Sequence, residues 1–65
     1  MNYYIAFITE DGSEWNVMES TDYDYIYDVF ENLSAPPGFN MELRATEEDA
    51  DEEDYEVLRY DHSQF

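Results

Sequence analysis

Two arginines and no lysine are set against eighteen aspartates and glutamates in 65 residues. This shortage of cations limits what the chain can fold into more than any other feature. Most carboxylates cannot be neutralised by pairing, so they must stand in solvent, and a net charge of −16 opposes compaction by self-repulsion. The rest of the chain has to supply a core in spite of that. It has the means, with seven Tyr, four Phe and one Trp and a 43% hydrophobic content. Acidic disordered chains are poor in aromatics, so this one is read as folded. At this length the expectation is one domain over residues 1–65 that buries only about 60% of its unfolded surface.

Hydrophobic patterning predicts five elements. Tyr3 to Thr9 is rich in β-branched and aromatic residues and reads as a strand. Glu10-Asp11-Gly12-Ser13 reads as a turn in which Gly12 supplies a positive φ. Trp15 to Glu19 alternates and forms the return strand. A helix is expected from Asp22 to Ser34, capped by Ser20 or Thr21 with Asp24 as a capping-box acid. Its buried face would carry Tyr23, Ile26, Tyr27, Phe30 and Leu33. A strand is the rival reading, because Tyr23, Tyr25, Tyr27 and Val29 also alternate, but length and capping favour the helix. Ala35-Pro36-Pro37-Gly38 stops it. Phe39, Met41, Leu43 and Ala45 share one face of a third strand, and Tyr55 to Tyr60 forms a fourth, with Asp61 to Phe65 as a frayed tail. The fold class is therefore α+β: a small antiparallel sheet of about four strands with one helix packed on it, in the order β-β-α-β-β.

The acids fall into three groups. On the helix, Asp24, Asp28 and Glu31 lie within about 60° of one another and form a stripe opposite the apolar face. The segment between the last two strands carries Glu47, Glu48, Asp49, Asp51, Glu52, Glu53, Asp54 and Glu56, a density that local pairing cannot relieve. Both groups are candidate partner-binding residues, with Tyr25 at the border of the helix stripe as an aromatic contact. The bland alternative is a solvated helix face. Glu10, Asp11 and Glu14 in the first hairpin read as ordinary turn chemistry. Tyr3, Tyr23 and Tyr27 are assigned to the core, while Tyr55 and Tyr60 stand on the last strand beside acids.

Several functions are disfavoured by the residue set. With no cysteine there is neither a disulfide framework nor a thiolate metal site, which fits a reducing cytoplasm. No apolar run approaches the ~20 residues of a membrane span, and Met1-Asn2-Tyr3 has no basic n-region of a secretory signal. An EF-hand loop starting at Asp49 would need Gly at its sixth position and Glu at its twelfth, where Asp54 and Tyr60 stand. His62 is the one histidine, near the chain end with nothing beside it in sequence to fix its geometry as a base. A small sheet is expected to offer no enclosed pocket. The chain is read as non-enzymatic, without cofactor or metal. Nucleic acids and anionic membranes would be repelled, so the expected partner is a basic protein surface.

A folded domain of this length is about 28 Å across, with a radius of gyration of about 11 Å. Duplex DNA carries about 16 charges over ~27 Å of axis, so the chain matches a short duplex in size and charge. In length, charge and lack of catalytic residues the whole chain resembles the small acidic inhibitors encoded by phages and mobile elements. These include anti-CRISPR proteins, restriction inhibitors and uracil-DNA glycosylase inhibitors, many of them DNA mimics. The resemblance is one of class and not of motif. It implies a DNA-mimic inhibitor, of the anti-CRISPR type, that occupies the DNA-binding surface of a CRISPR effector or other defence protein in the host bacterial cytoplasm. The helix followed by Pro37-Gly38-Phe39 and a strand is also similar to a phage inhibitor of bacterial RNA polymerase. The alternative is thus inhibition of another host enzyme, such as RNA polymerase or uracil-DNA glycosylase. A non-specific acidic chaperone or ion buffer is the third reading. Oligomeric state is left open.

Overall fold

The computed structural model describes residues 1–49 and 54–61. Strand β1 (Asn2–Thr9) is followed by β2 (Glu14–Ser20), helix α1 (Tyr23–Asn32), β3 (Phe39–Thr46) and β4 (Tyr55–Asp61). This is the expected β-β-α-β-β order, one helix on a four-stranded sheet. The spatial strand order is β2-β1-β3-β4, and every neighbouring pair is antiparallel. Since β2 and β3 both oppose β1, they run parallel to each other, and α1 is the crossover that joins them. The helix lies against β1 and β2.

Register assigns the two sheet faces. Tyr3, Ile5 and Phe7 of β1 stand opposite Ala45, Leu43 and Met41 of β3 on the helix side. With Ile26, Phe30 and Ala35 these residues make the core, in which Ile5, Ile26, Met41 and Leu43 are fully buried. Such a core is small, and aromatic rings flank it at both ends, among them Trp15 and Tyr23. Tyr23 is 40% exposed and so not the core residue expected from sequence. Tyr23 packs on Tyr3 and Tyr27 with ring centroids 5.4 and 5.7 Å apart, and Phe39 packs on Trp15 and Phe7 at 5.5 and 6.0 Å. Rings at these separations add to the burial of their own area.

Two tight connections depend on glycine. Gly12 closes the first hairpin at φ +92°, donating its N–H to the Thr9 carbonyl at 3.0 Å. In the second, Phe39 N–H donates to the Pro36 carbonyl at 3.1 Å, with Pro37 and Gly38 as the central residues. Gly38 has φ +88°, so Pro fixes the first corner and Gly takes the left-handed second one, as a type II turn requires.

Four local expectations are corrected. The helix is shorter than expected at both ends, because Asp22 is its N-cap, accepting from Tyr25 N–H at 3.2 Å. Ser20 is not the cap: it is the last residue of β2, paired with Tyr3, and its Oγ accepts from Asp22 N–H at 3.0 Å. Asp24 therefore lies one turn position too early to close a capping box. The alternation of β2 breaks where the register shifts between Ile5 and Ala6, which leaves Val17 as an extra residue and brings Trp15 and Met18 to the helix side. An equivalent shift between Leu43 and Arg44 bulges β4 at Leu58. Asp61 pairs with Met41 and belongs to β4 rather than to a frayed tail. The expectations for Asp51, Glu52, Glu53 and His62 lie outside the described residues.

Candidate protein-binding surface

Among the described residues the helix covers one face of the sheet and no second layer covers the other. That open face carries Glu14, Asn16 and Glu19 from β2, Tyr4, Ala6 and Ile8 from β1, and Asn40, Glu42, Arg44 and Thr46 from β3. β4 adds Tyr55, Val57 and Tyr60. Strand alternation alone predicts that such a face, left open, is polar or shielded.

Arg44 does the shielding. It is 3% exposed, yet lies on the side away from the core. Its Nε donates to Glu42 Oε1 at 2.6 Å and its Nη2 to Glu14 Oε1 at 2.5 Å. The guanidinium carbon lies 4.1 Å from the Tyr55 ring centroid and 5.8 Å from that of Tyr4, so the group is framed by two carboxylates and two aromatic rings. The reach from β3 to Glu14 on β2 crosses β1 at Ala6, which is fully buried. A small residue there lets the guanidinium lie low on the sheet. Burial acts to lower the Arg44 pKa, but hydrogen bonds with Glu14, Glu42 and Tyr4 outweigh it and hold the value above normal. The hydrogen bond from Arg44 in turn holds the Glu14 carboxyl below its ordinary range.

Arg44 and three of its neighbours, Glu14, Tyr4 and Tyr55, form part of the wall of an open hollow of about 790 Å³. Glu19, Glu47 and Glu48 also line it. Beyond it Tyr55, Val57 and Tyr60 continue along β4, 38–50% exposed. On the same face Asn40 is buried and donates to Tyr60 Oη at 3.0 Å. Among the described residues its Oδ1 acceptor has no hydrogen-bond partner.

The acids singled out from sequence are divided between α1 and the region from the end of β3 into β4. Asp24, Tyr25, Asp28 and Glu31 are exposed on α1, turned from Ile26 and Phe30. Glu31 is not a lone charge: it accepts from Arg59 Nη2 at 2.9 Å, and Arg59 also donates to the Tyr27 hydroxyl and lies over its ring. Glu47 and Glu48 line the hollow, and none of the helix-stripe residues Asp24, Asp28 and Glu31 does. Asp49 and Asp54 are exposed at the two ends of the described connection, and Glu56 is exposed on the helix side of β4. In the first hairpin, Asp11 is a turn acid as read: hydrogen bonds from the Thr9 hydroxyl and the Ser13 amide lower its pKa. Glu14 is not, because it anchors Arg44.

Sequence reading missed Tyr4, Glu14, Glu19, Glu42 and Arg44. A signal was present in strand 3, where Glu42 and Arg44 alternate with Met41, Leu43 and Ala45 and must therefore occupy the far face. Among the described residues no group of His, Cys, Asp and Glu is set to hold a metal ion, and no helix is long and apolar enough to cross a membrane. Comparison with protein-family models, curated proteins and solved structures gave no match.

Proposed function

We propose that this protein is an inhibitor that imitates DNA, of the anti-CRISPR type, and occupies a basic nucleic-acid-binding surface of a host defence protein. One observation carries the reading. Both arginines are spent on internal contacts, Arg44 with Glu14 and Glu42 and Arg59 with Glu31 and Tyr27. Among the described residues Glu10, Glu19, Asp24, Asp28, Glu47, Glu48, Asp49, Asp54 and Glu56 are exposed and bonded by neither arginine, as phosphates stand exposed on a duplex. Their spread over a body with extents of 32 × 24 × 15 Å suits a cleft that grips its ligand from more than one direction. Unscreened acids would steer fast association with such a cleft.

The test is competition. A defence protein bound by this chain should release it as duplex DNA is added, and the affinity should fall steeply with salt. A stable ternary complex of target, DNA and inhibitor would remove the mimicry and favour the second reading, inhibition of RNA polymerase or another host enzyme away from its nucleic-acid groove. The exposed Tyr55, Val57 and Tyr60 favour that reading, since aromatic and apolar side chains have no counterpart in a phosphate backbone. Because Glu31 is already paired, the helix stripe is best judged by Asp24→Asn with Asp28→Asn. Unchanged affinity in that variant would take the stripe out of the mechanism.

A further inference from the structure

We infer that the open sheet face, and not the helix stripe, is the main docking surface, and that its occupant is an arginine-bearing segment of a basic protein. The inference rests on the reading above that the partner is basic, and it specifies which side of the molecule meets it.

Three observations converge on this face. It is the sheet face that no element covers among the described residues, and it exposes Tyr55, Val57 and Tyr60 in a row along one edge strand. Beside that row is the hollow, with Glu19, Glu47 and Glu48 around it and Arg44, its partner Glu14, Tyr4 and Tyr55 in its wall. The face also already holds one guanidinium, that of Arg44, by the means a second would need: carboxylate oxygens at 2.5 and 2.6 Å and a tyrosine ring at 4.1 Å. Arginine is the cation suited to such a site, because its planar fork matches carboxylates and its face stacks on aromatic rings.

Charge complementarity selects the occupant. A second copy would bring another −16 against the same carboxylates. A purely apolar segment would strip water from Glu19, Glu47 and Glu48 and give nothing back, which is costly for ionised groups. A cationic segment with aliphatic stems satisfies both parts of the face, since the arginine stem packs on Tyr55 and Val57 while the head meets the acids.

Nona-arginine is a suitable probe for an NMR titration of the whole chain at about 150 mM salt, where long-range attraction is screened. The expected amide shifts concentrate on Asn16, Glu19, Thr46, Glu47 and Tyr55. Glu19→Gln, Glu47→Gln and Glu48→Gln together should weaken binding about tenfold, or ~1.4 kcal/mol. Asp24→Asn with Asp28→Asn should leave it within about twofold. Thermal melting of both variants checks that the fold persists, and the wild-type shift map stands independently of either. Shifts centred on residues 23–32, or spread evenly over all the acids, would overturn the assignment of the face while leaving the acidic-inhibitor reading intact. Displacement of the chain by DNA from its target tests that reading separately, and it can fail while the shift map holds.

Discussion

Arg44 is the one charged residue buried among the described residues. Its two carboxylate partners are unequal: the Glu42 side chain is 14% exposed and that of Glu14 is 44% exposed. Truncation by Arg44→Ala would leave Glu42 half-desolvated without a counter-charge, and breaking a buried pair in this way costs about 3–5 kcal/mol. Domains of this size hold only about 3–5 kcal/mol in total. The variant is therefore expected to be largely unfolded by circular dichroism at 25 °C. Arg44→Met combined with Glu42→Leu removes charge and counter-charge together and should recover most of the loss. If the double variant melts as low as Arg44→Ala, the ion pair is not the source of the stability. Glu14 gives a pH test. Its carboxyl titrates lower in the folded protein than the ordinary 4.5, so its bond to Arg44 stabilises the fold above that pH. The contribution disappears as pH falls through the depressed folded value. The stability gap between wild type and Glu14→Gln, measured by denaturant unfolding, should be widest near neutral pH and close on the acid side of 4.5. A gap that stays constant at all pH values would separate Glu14 from Arg44. Neither role was legible in the sequence, because the pair is formed by residues thirty positions apart. Nothing local distinguishes Glu14 from the turn acids Glu10 and Asp11.

At the level of elements, periodicity carried much of the fold. Phe39, Met41, Leu43 and Ala45 face the helix as their alternation requires, and Tyr23 to Asn32 is helical with Ile26 and Phe30 buried. What escaped was decided by non-local pairing. Ser20, Thr21 and Asp22 are all competent helix caps, and the choice fell to Asp22 because Ser20 is held in β2 by its pairing with Tyr3. The bulges at Val17 and Leu58 were illegible for a related reason, since each exists only relative to a partner strand. They occur on the two edge strands, one on each side, along the strand direction, of the level of the Ile5–Leu43 pair. Bulged, acidic edges resist pairing with other strands, which protects a small sheet that has two open edges. The helix-to-strand junction is the element whose sequence is most specific. Gly38 at φ +88° meets no atoms that a Cβ would strike, so Gly38→Ala tests backbone conformation alone. It should cost about 1–2 kcal/mol, the price of the left-handed region for an L-residue. Asp22→Ala should cost about 1 kcal/mol through loss of the cap. Both are readable in urea melts with an unchanged slope, and a neutral Gly38→Ala would mean that the turn relaxes to another type.

For the molecule as a whole, the question is how a fold with so small a core tolerates its charge. The structure answers in part by separation. Among the described residues Asp24 and Asp28 stand on the helix and Glu19, Glu47 and Glu48 around the hollow, so these two groups of acids are not superposed. Separation helps only when the intervening distance exceeds the range of the repulsion. At 10 mM salt the Debye length is about 30 Å, comparable to the longest dimension of 32 Å, and all the acids repel one another. At 150 mM it is about 8 Å, shorter than the 15 Å thickness, and the two groups become independent. Screening also weakens the exposed Arg59–Glu31 pair, but such pairs contribute only about 0–1 kcal/mol. Repulsion among the many unpaired carboxylates outweighs that loss. The melting temperature should therefore rise steeply between 10 and about 150 mM sodium chloride and level off beyond, where only neighbouring acids within each group still interact. The plateau should come later for a variant that moves charge closer together and earlier for Asp24→Asn with Asp28→Asn. A melting temperature that is flat or falls over the same range would mean that the acids stabilise one another through contacts this distribution does not account for.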